Sequence, residues 1–141
     1  MIKRVTLGEE VTITVKNKIG LLAGISEMLA NRGINIESAL GYESGKTAKL
    51  MLVTTANIAI ISDLKRKYKS VKEKEVVMVE LEDRPGAMKV VTTELKQAKI
   101  DITYLYVTSP SSQGGSSRMV IQTSDNEKAM ALLSKYTGTS E

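Results

Sequence analysis

The chain has 141 residues, enough for one ordinary domain or two small ones, and its 42% hydrophobic content is enough to fold. It contains no Cys and no His, which excludes disulfides, thiolate and imidazole catalysis and the usual zinc or copper sites. The net charge of +4 is mild and scattered, and with no Phe, no Trp and five Tyr there is no aromatic platform for single-stranded nucleic acid.

In chain order, Ile2 to Leu7 is strand-like, and Val11, Ile13 and Val15 alternate with Thr12 and Thr14, the period of a half-buried strand. Leu21, Leu22, Ile25, Met28 and Leu29 form a helical stripe that Gly33 can stop. Ile34, Ile36, Ser38 and Leu40 resume strand alternation, "ESGK" (43–46) makes a turn, and Leu50 to Thr54 returns as a further strand. Asn57 then suits the cap of a helix carrying Ile60, Ile61, Leu64 and Tyr68 on one face.

The same order recurs with Val77 to Leu81, Ala87 to Ala98, Ile100 to Thr108, Met119 to Thr123 and Asn126 to Tyr136. A shift of 66 places Val11, Gly20, Leu29, Ile34 and Ile36 on Val77, Gly86, Leu95, Ile100 and Ile102. Beyond the hairpin a shift of 68 places Met51, Leu64, Lys67 and Tyr68 on Met119, Leu132, Lys135 and Tyr136, as if the second hairpin loop, "SPSSQGGSS" (109–117), were two residues longer. That loop is flexible by composition. Lys99 replaces Gly33 at the helix stop, a less comfortable residue there.

With a fourth strand, each copy becomes a ferredoxin-like βαββαβ unit of the α+β class, assigned to residues 1–70 and 71–141. Ser70 to Leu81 can close the first sheet and open the second. Twelve extended residues span roughly 40 Å, so a bend or shared use follows. Ile2 to Leu7 is left to fill the fourth-strand position of the second copy.

Each first strand runs through a glycine into a helix, in "NKIGLL" (17–22) and "DRPGAM" (83–88). A glycine there lets the backbone turn and lets a ligand approach the open amides of the first helical turn, which attract a carboxylate. Turn architecture alone is the competing reading, as are helix capping for Asn17 and Asp83 and an exposed edge for Asn35 and Asp101.

Together with "INIESAL" and "IDITYLY", which open the second strands, these loops resemble the ACT domain, as two units in tandem over nearly the whole chain. The resemblance implies a regulatory protein without catalytic activity that binds a small molecule, most often an amino acid, between paired units. It implies no cofactor and no metal. Asn17 and Asp83 match the polar residue that opens the family's loop, Gly20 and Gly86 its glycine, and Asn35 and Asp101 the polar residue at the start of the second strand. Ile19 stands where the usual proline would be, whereas Pro85 keeps it. The candidate ligand-binding set is Asn17, Lys18, Ile19, Gly20, Leu21 and Asn35, with Asp83, Arg84, Pro85, Gly86, Ala87, Met88 and Asp101.

The second strands, Ile34 to Gly41 and Ile100 to Thr108, lack the Lys or Pro that guards natural edges. Laid edge to edge within the chain they would form an eight-stranded antiparallel sheet with helices on one face, each loop beside the other unit's polar residue; the same pairing between two chains is the alternative. The expected partners are a small-molecule ligand, a second copy of the chain and a separate regulated enzyme. Nucleic acid and membrane are not expected, since no apolar run approaches the roughly 20 residues of a bilayer span, and a cytoplasmic protein follows. The alternatives are a purely structural interaction module and an RNA-binding ferredoxin-like protein. Catalysis finds no histidine to activate a serine and no phosphate loop.

Overall fold

The computed structural model describes residues 1–16, 19–108 and 115–138. The elements run β1 (Ile2–Lys16), α1 (Leu21–Asn31), β2 (Ile36–Ser44), β3 (Thr47–Thr54), α2 (Asn57–Lys67), β4 (Ser70–Glu82), α3 (Ala87–Gln97), β5 (Ile102–Thr108), β6 (Ser116–Thr123) and α4 (Asn126–Ser134). The chain divides into a contiguous unit, Glu9–Lys74, and a permuted unit made of Met1–Gly8 with Glu75–Glu141.

The contiguous unit packs α1 and α2 on one face of its strands. Val11, Ile13, Leu50 and Leu52 point to that face and bury against Ile25, Leu29, Ile60 and Leu64. Antiparallel pairing sets Val11 opposite Leu52 and Ile13 opposite Leu50, so every second residue of both strands serves the same core. β2 and β3 form a tight hairpin closed at Ser44 and Thr47, with Gly45 at φ 61° in the turn.

The permuted unit repeats this plan. Val77, Val79, Met119 and Ile121 face Val91, Leu95, Ala129 and Leu133. Ile2 joins this core with only 2% of its surface exposed, and forms a parallel bridge with Thr137. The N-terminal stretch thus takes the place of the strand that the chain does not supply after α4.

β1 is one strand of 15 residues, where two separate short strands were expected. Gly8 sits at the division because Met78 lies over it: a Cβ there would stand 2.5 Å from the Met78 Sδ. β4, of 13 residues, likewise contributes to both units.

Six strands therefore do the work for which eight were expected, in the order β2-β3-β1-β4-β6-β5. The eight-stranded sheet does not form. β2 and β5 stand at the two ends of that order, so the edge-to-edge pairing expected within the chain is not made. The reason is the length of β1 and β4, each of which replaces two strands.

Register corrects the sequence repeat as well. Val11 pairs with Leu52, and its equivalent Val77 pairs with Ile121, which makes the shift in the second half 69 rather than 68. Identities such as Met51 and Met119 had suggested the shorter shift, yet Met119 belongs to a helix-facing core and Met51 does not. A one-residue slip exchanges the two faces of a strand.

Asn57 and Asn126 follow the corrected register. Neither is the cap: the N-caps are Ala56 and Asp125, and only Asp125 uses its side chain, accepting from the Lys128 amide at 3.1 Å. Asn57 Oδ1 instead accepts from the Thr54 amide at 3.0 Å and the Thr54 hydroxyl at 2.6 Å, while its Nδ2 donates to the Glu9 carbonyl. Asn126 repeats these contacts with Thr123 and with the Glu75 carbonyl. Each asparagine ties the end of one strand to the middle of another.

Candidate functional site

Both glycine loops adopt the turn that the sequence implies. Gly20 and Gly86 are the residues before α1 and α3, each with φ 89°, a left-handed backbone that an L side chain disfavours. Among the described residues no side chain caps either helix, and neither has an acidic residue in its first turn. At α3 the Ala87 amide donates to the Arg84 carbonyl; both helix mouths carry the positive end of the helix dipole.

The surroundings of the loops differ. At the first, a Cβ on Gly20 would meet nothing within 4 Å, and Ile19 is fully exposed. A cleft of about 430 Å³ opens there, lined by Val15, Lys16, Gly20, Leu21, Gly24, Lys67 and Tyr68. β1 supplies its floor, α1 one wall and the end of α2 the other. Asn17 and Lys18 lie outside the described residues.

At the second loop, a Cβ on Gly86 would stand 3.6 Å from the Met1 Cε. The Arg84 Nε pairs with Glu82 Oε2 at 2.8 Å, and Asp83 Oδ1 accepts from the Ser117 hydroxyl at 3.0 Å. Asp83 therefore does not cap α3; it ties the loop to β6. Pro85 and Met88 are exposed, and Ala87 is buried in the permuted unit's core.

Asn35 and Asp101 hold equivalent backbone positions. Asn35 donates its amide to the Thr55 hydroxyl and accepts from the Thr55 amide; Asp101 does the same with Ser124. Both residues are exposed. Asp101 lines a second, more open cleft of about 430 Å³ with Thr92, Leu95, Lys96, Lys99, Ile100 and Ile102. Of the sequence candidates, the first cleft gathers Gly20 and Leu21, and the second holds Asp101 alone.

Lys16, Gly24, Lys67 and Tyr68 were not among the candidates. Tyr68 ends the apolar stripe of α2 and had been read only as packing, which it also does as a half-buried neighbour of the contiguous unit's core. Lys67 carries no local signal. Its place depends on the end of α2 reaching the mouth of α1, a tertiary arrangement.

Among the described residues no group of acidic side chains could hold a metal ion, and no helix is long and apolar enough to cross a membrane.

Comparison with known proteins follows the fold closely. Protein BT0572 from Bacteroides thetaiotaomicron superposes with a TM-score of 0.83 at 23% identity, over 93% of this chain and 89% of that one. The ligand-free regulatory subunit of aspartate kinase from Thermus thermophilus gives 0.64 at 12% identity, over 95% and 97% of the two chains. Clostridium acetobutylicum aspartate kinase gives 0.54 at 16% identity, over 96% of this chain and 34% of the enzyme. These likenesses establish a shared fold. No curated protein matches the chain in sequence. The ACT domain model matches residues 10–73, nearly the extent of the contiguous unit. Over those residues, less than half of the chain, the protein is similar to the ACT domain.

Proposed function

We propose that the protein is a regulatory, non-catalytic sensor that binds a small carboxylate-bearing molecule of amino-acid size at its strand-to-helix glycine loops. The observation that carries this reading is the cleft beside Gly20, where uncapped helix amides meet an opening of about 430 Å³. Volumes of roughly 300–1,000 Å³ are usual for small-molecule sites. Val15, Leu21 and Tyr68 supply apolar surface, and the helix mouth supplies donors for a carboxylate. At the second loop, Asp83, Arg84, Pro85, Gly86, Ala87 and Met88 form the equivalent turn, with Met1 beside the glycine. We assign ligand binding first to the Gly20 loop.

Regulation needs an output. Among the described residues β2 and β5 stand at the two ends of the strand order, which favours pairing with a second copy of the chain. The likeness in fold to the Thermus aspartate kinase regulatory subunit supports a separate enzyme as the target. The test is a thermal-shift screen with the twenty amino acids and their deaminated 2-oxo acids, repeated on Gly20→Val. A ligand at 100 times its dissociation constant stabilises by about 2.7 kcal/mol. A shift that disappears in Gly20→Val supports the reading, and a screen with no shift at all rejects it.

A further inference from the structure

The Gly20 cleft has a charge that its ligand must answer. Lys16, at the end of β1, and Lys67, at the end of α2, both line it, and neither forms an ion pair among the described residues. The α1 amides add the positive end of a helix dipole at the same place. Among the described residues no carboxylate lines the cleft, and the Tyr68 hydroxyl is its side-chain acceptor. The Gly20 carbonyl accepts from the Gly24 amide at 3.0 Å.

Charge is also partitioned between the units. Residues 9–74 hold 11 basic and 7 acidic side chains, whereas the remainder of the chain holds 9 of each, so the whole net charge of +4 belongs to the unit with this cleft. An α-ammonium group placed there would face two lysines and no counter-charge. A carboxylate would face two lysines and a helix mouth.

Resting on the proposed site, we infer that the ligand is a small organic acid carrying net negative charge and a modest apolar side chain, with no ammonium group: a 2-oxo acid in place of the corresponding zwitterionic amino acid. Val15, Leu21 and Tyr68 receive the apolar part, and Gly24, which has no side chain, leaves room above the helix for it. Lys16 and Lys67 set the preference for charge.

Matched pairs test this by isothermal titration calorimetry: pyruvate against alanine, 2-oxoisovalerate against valine, and 4-methyl-2-oxopentanoate against leucine. The 2-oxo acid of at least one pair is expected to bind about tenfold tighter than its amino acid, with an affinity that falls as salt rises. Lys67→Gln should weaken that binding about fivefold, Lys65→Gln on the same helix should leave it unchanged, and Gly20→Val should abolish it. Tighter binding of the amino acid, or indifference to Lys67→Gln, would overturn the inference while leaving a ligand site at the loop. If no member of any pair binds, the site itself is wrong and the inference fails with it.

Discussion

Lys99 holds the same left-handed backbone as Gly33, with φ values of 59° and 68°, at the equivalent end of the equivalent helix. The hydrogen bonds around them match too: the Ile34 amide donates to the Leu29 carbonyl, and the Ile100 amide to that of Leu95. One repeat meets the demand with the residue that meets it without strain, and the other bears a side chain there. Left-handed geometry costs a non-glycine residue about 1–2 kcal/mol, partly offset in glycine by the entropy of the unfolded chain. Lys99→Gly is therefore expected to stabilise the protein by about 0.5–1 kcal/mol, read from urea denaturation. Unchanged or lower stability would show that the lysine side chain makes a compensating contact.

The asparagine ties predict a second effect. Asn57→Ala removes an acceptor from the Thr54 amide and hydroxyl and a donor from the Glu9 carbonyl. The loss should cost about 2 kcal/mol, because groups left without partners in part-buried surroundings bear a desolvation penalty. Asn126→Ala should cost a similar amount for the same geometry. Chemical denaturation of both variants checks the pair, and a cost near zero for either would mean that water replaces the tie.

Register can be tested by truncating neighbours on one helix. Leu133 is fully buried among the permuted unit's core residues, whereas Leu132 only packs against them. Leu133→Ala should cost about 2–5 kcal/mol and Leu132→Ala distinctly less. The reverse order would restore the shift of 68 that sequence identities suggest.

Tyr136 supplies a prediction in pH. Its hydroxyl is pushed above the ordinary tyrosine range by the hydrogen bond to Glu94, then by partial burial and by the Glu94 charge. Because the folded-state value is raised, the neutral phenol contributes stability that is present below pH 10 and is lost as pH rises through the folded value. Ultraviolet titration of the Tyr136 phenol should place its ionisation above the ordinary tyrosine range, and Glu94→Gln should lower it.

Much of this was legible in sequence. Strand alternation and helical stripes located all four helices and the hairpins, and recurrence of a glycine after a strand located both turns. The sheet order was not. Residues 2–7 and 11–15 read as separate strands because Gly8, Glu9 and Glu10 interrupt the apolar alternation, yet all of them belong to β1. Local pattern reports which face a residue takes, whereas continuity of a strand depends on what pairs beside it. Of the residues lining the candidate cleft, the sequence marked Gly20 and Leu21 alone. Gly20 and Leu21 follow from the turn, while Lys67 and the partnership of Asp83 with Ser117 join residues from different elements and leave no mark in either stretch alone.

The Ile2–Thr137 bridge bears on how the protein is made. As the ribosome extends the chain, residues 9–74 have all the partners of their own unit once residue 74 has emerged, because that unit is contiguous. The stretch before them emerges first and finds nothing to pair with in its own unit until β4 and the elements after it exist. During that interval Ile2, Val5 and Leu7 are apolar groups without their core. Synthesis thus leaves the oldest segment for last, and slowing translation beyond residue 75 should lengthen its exposure to chaperones and proteases.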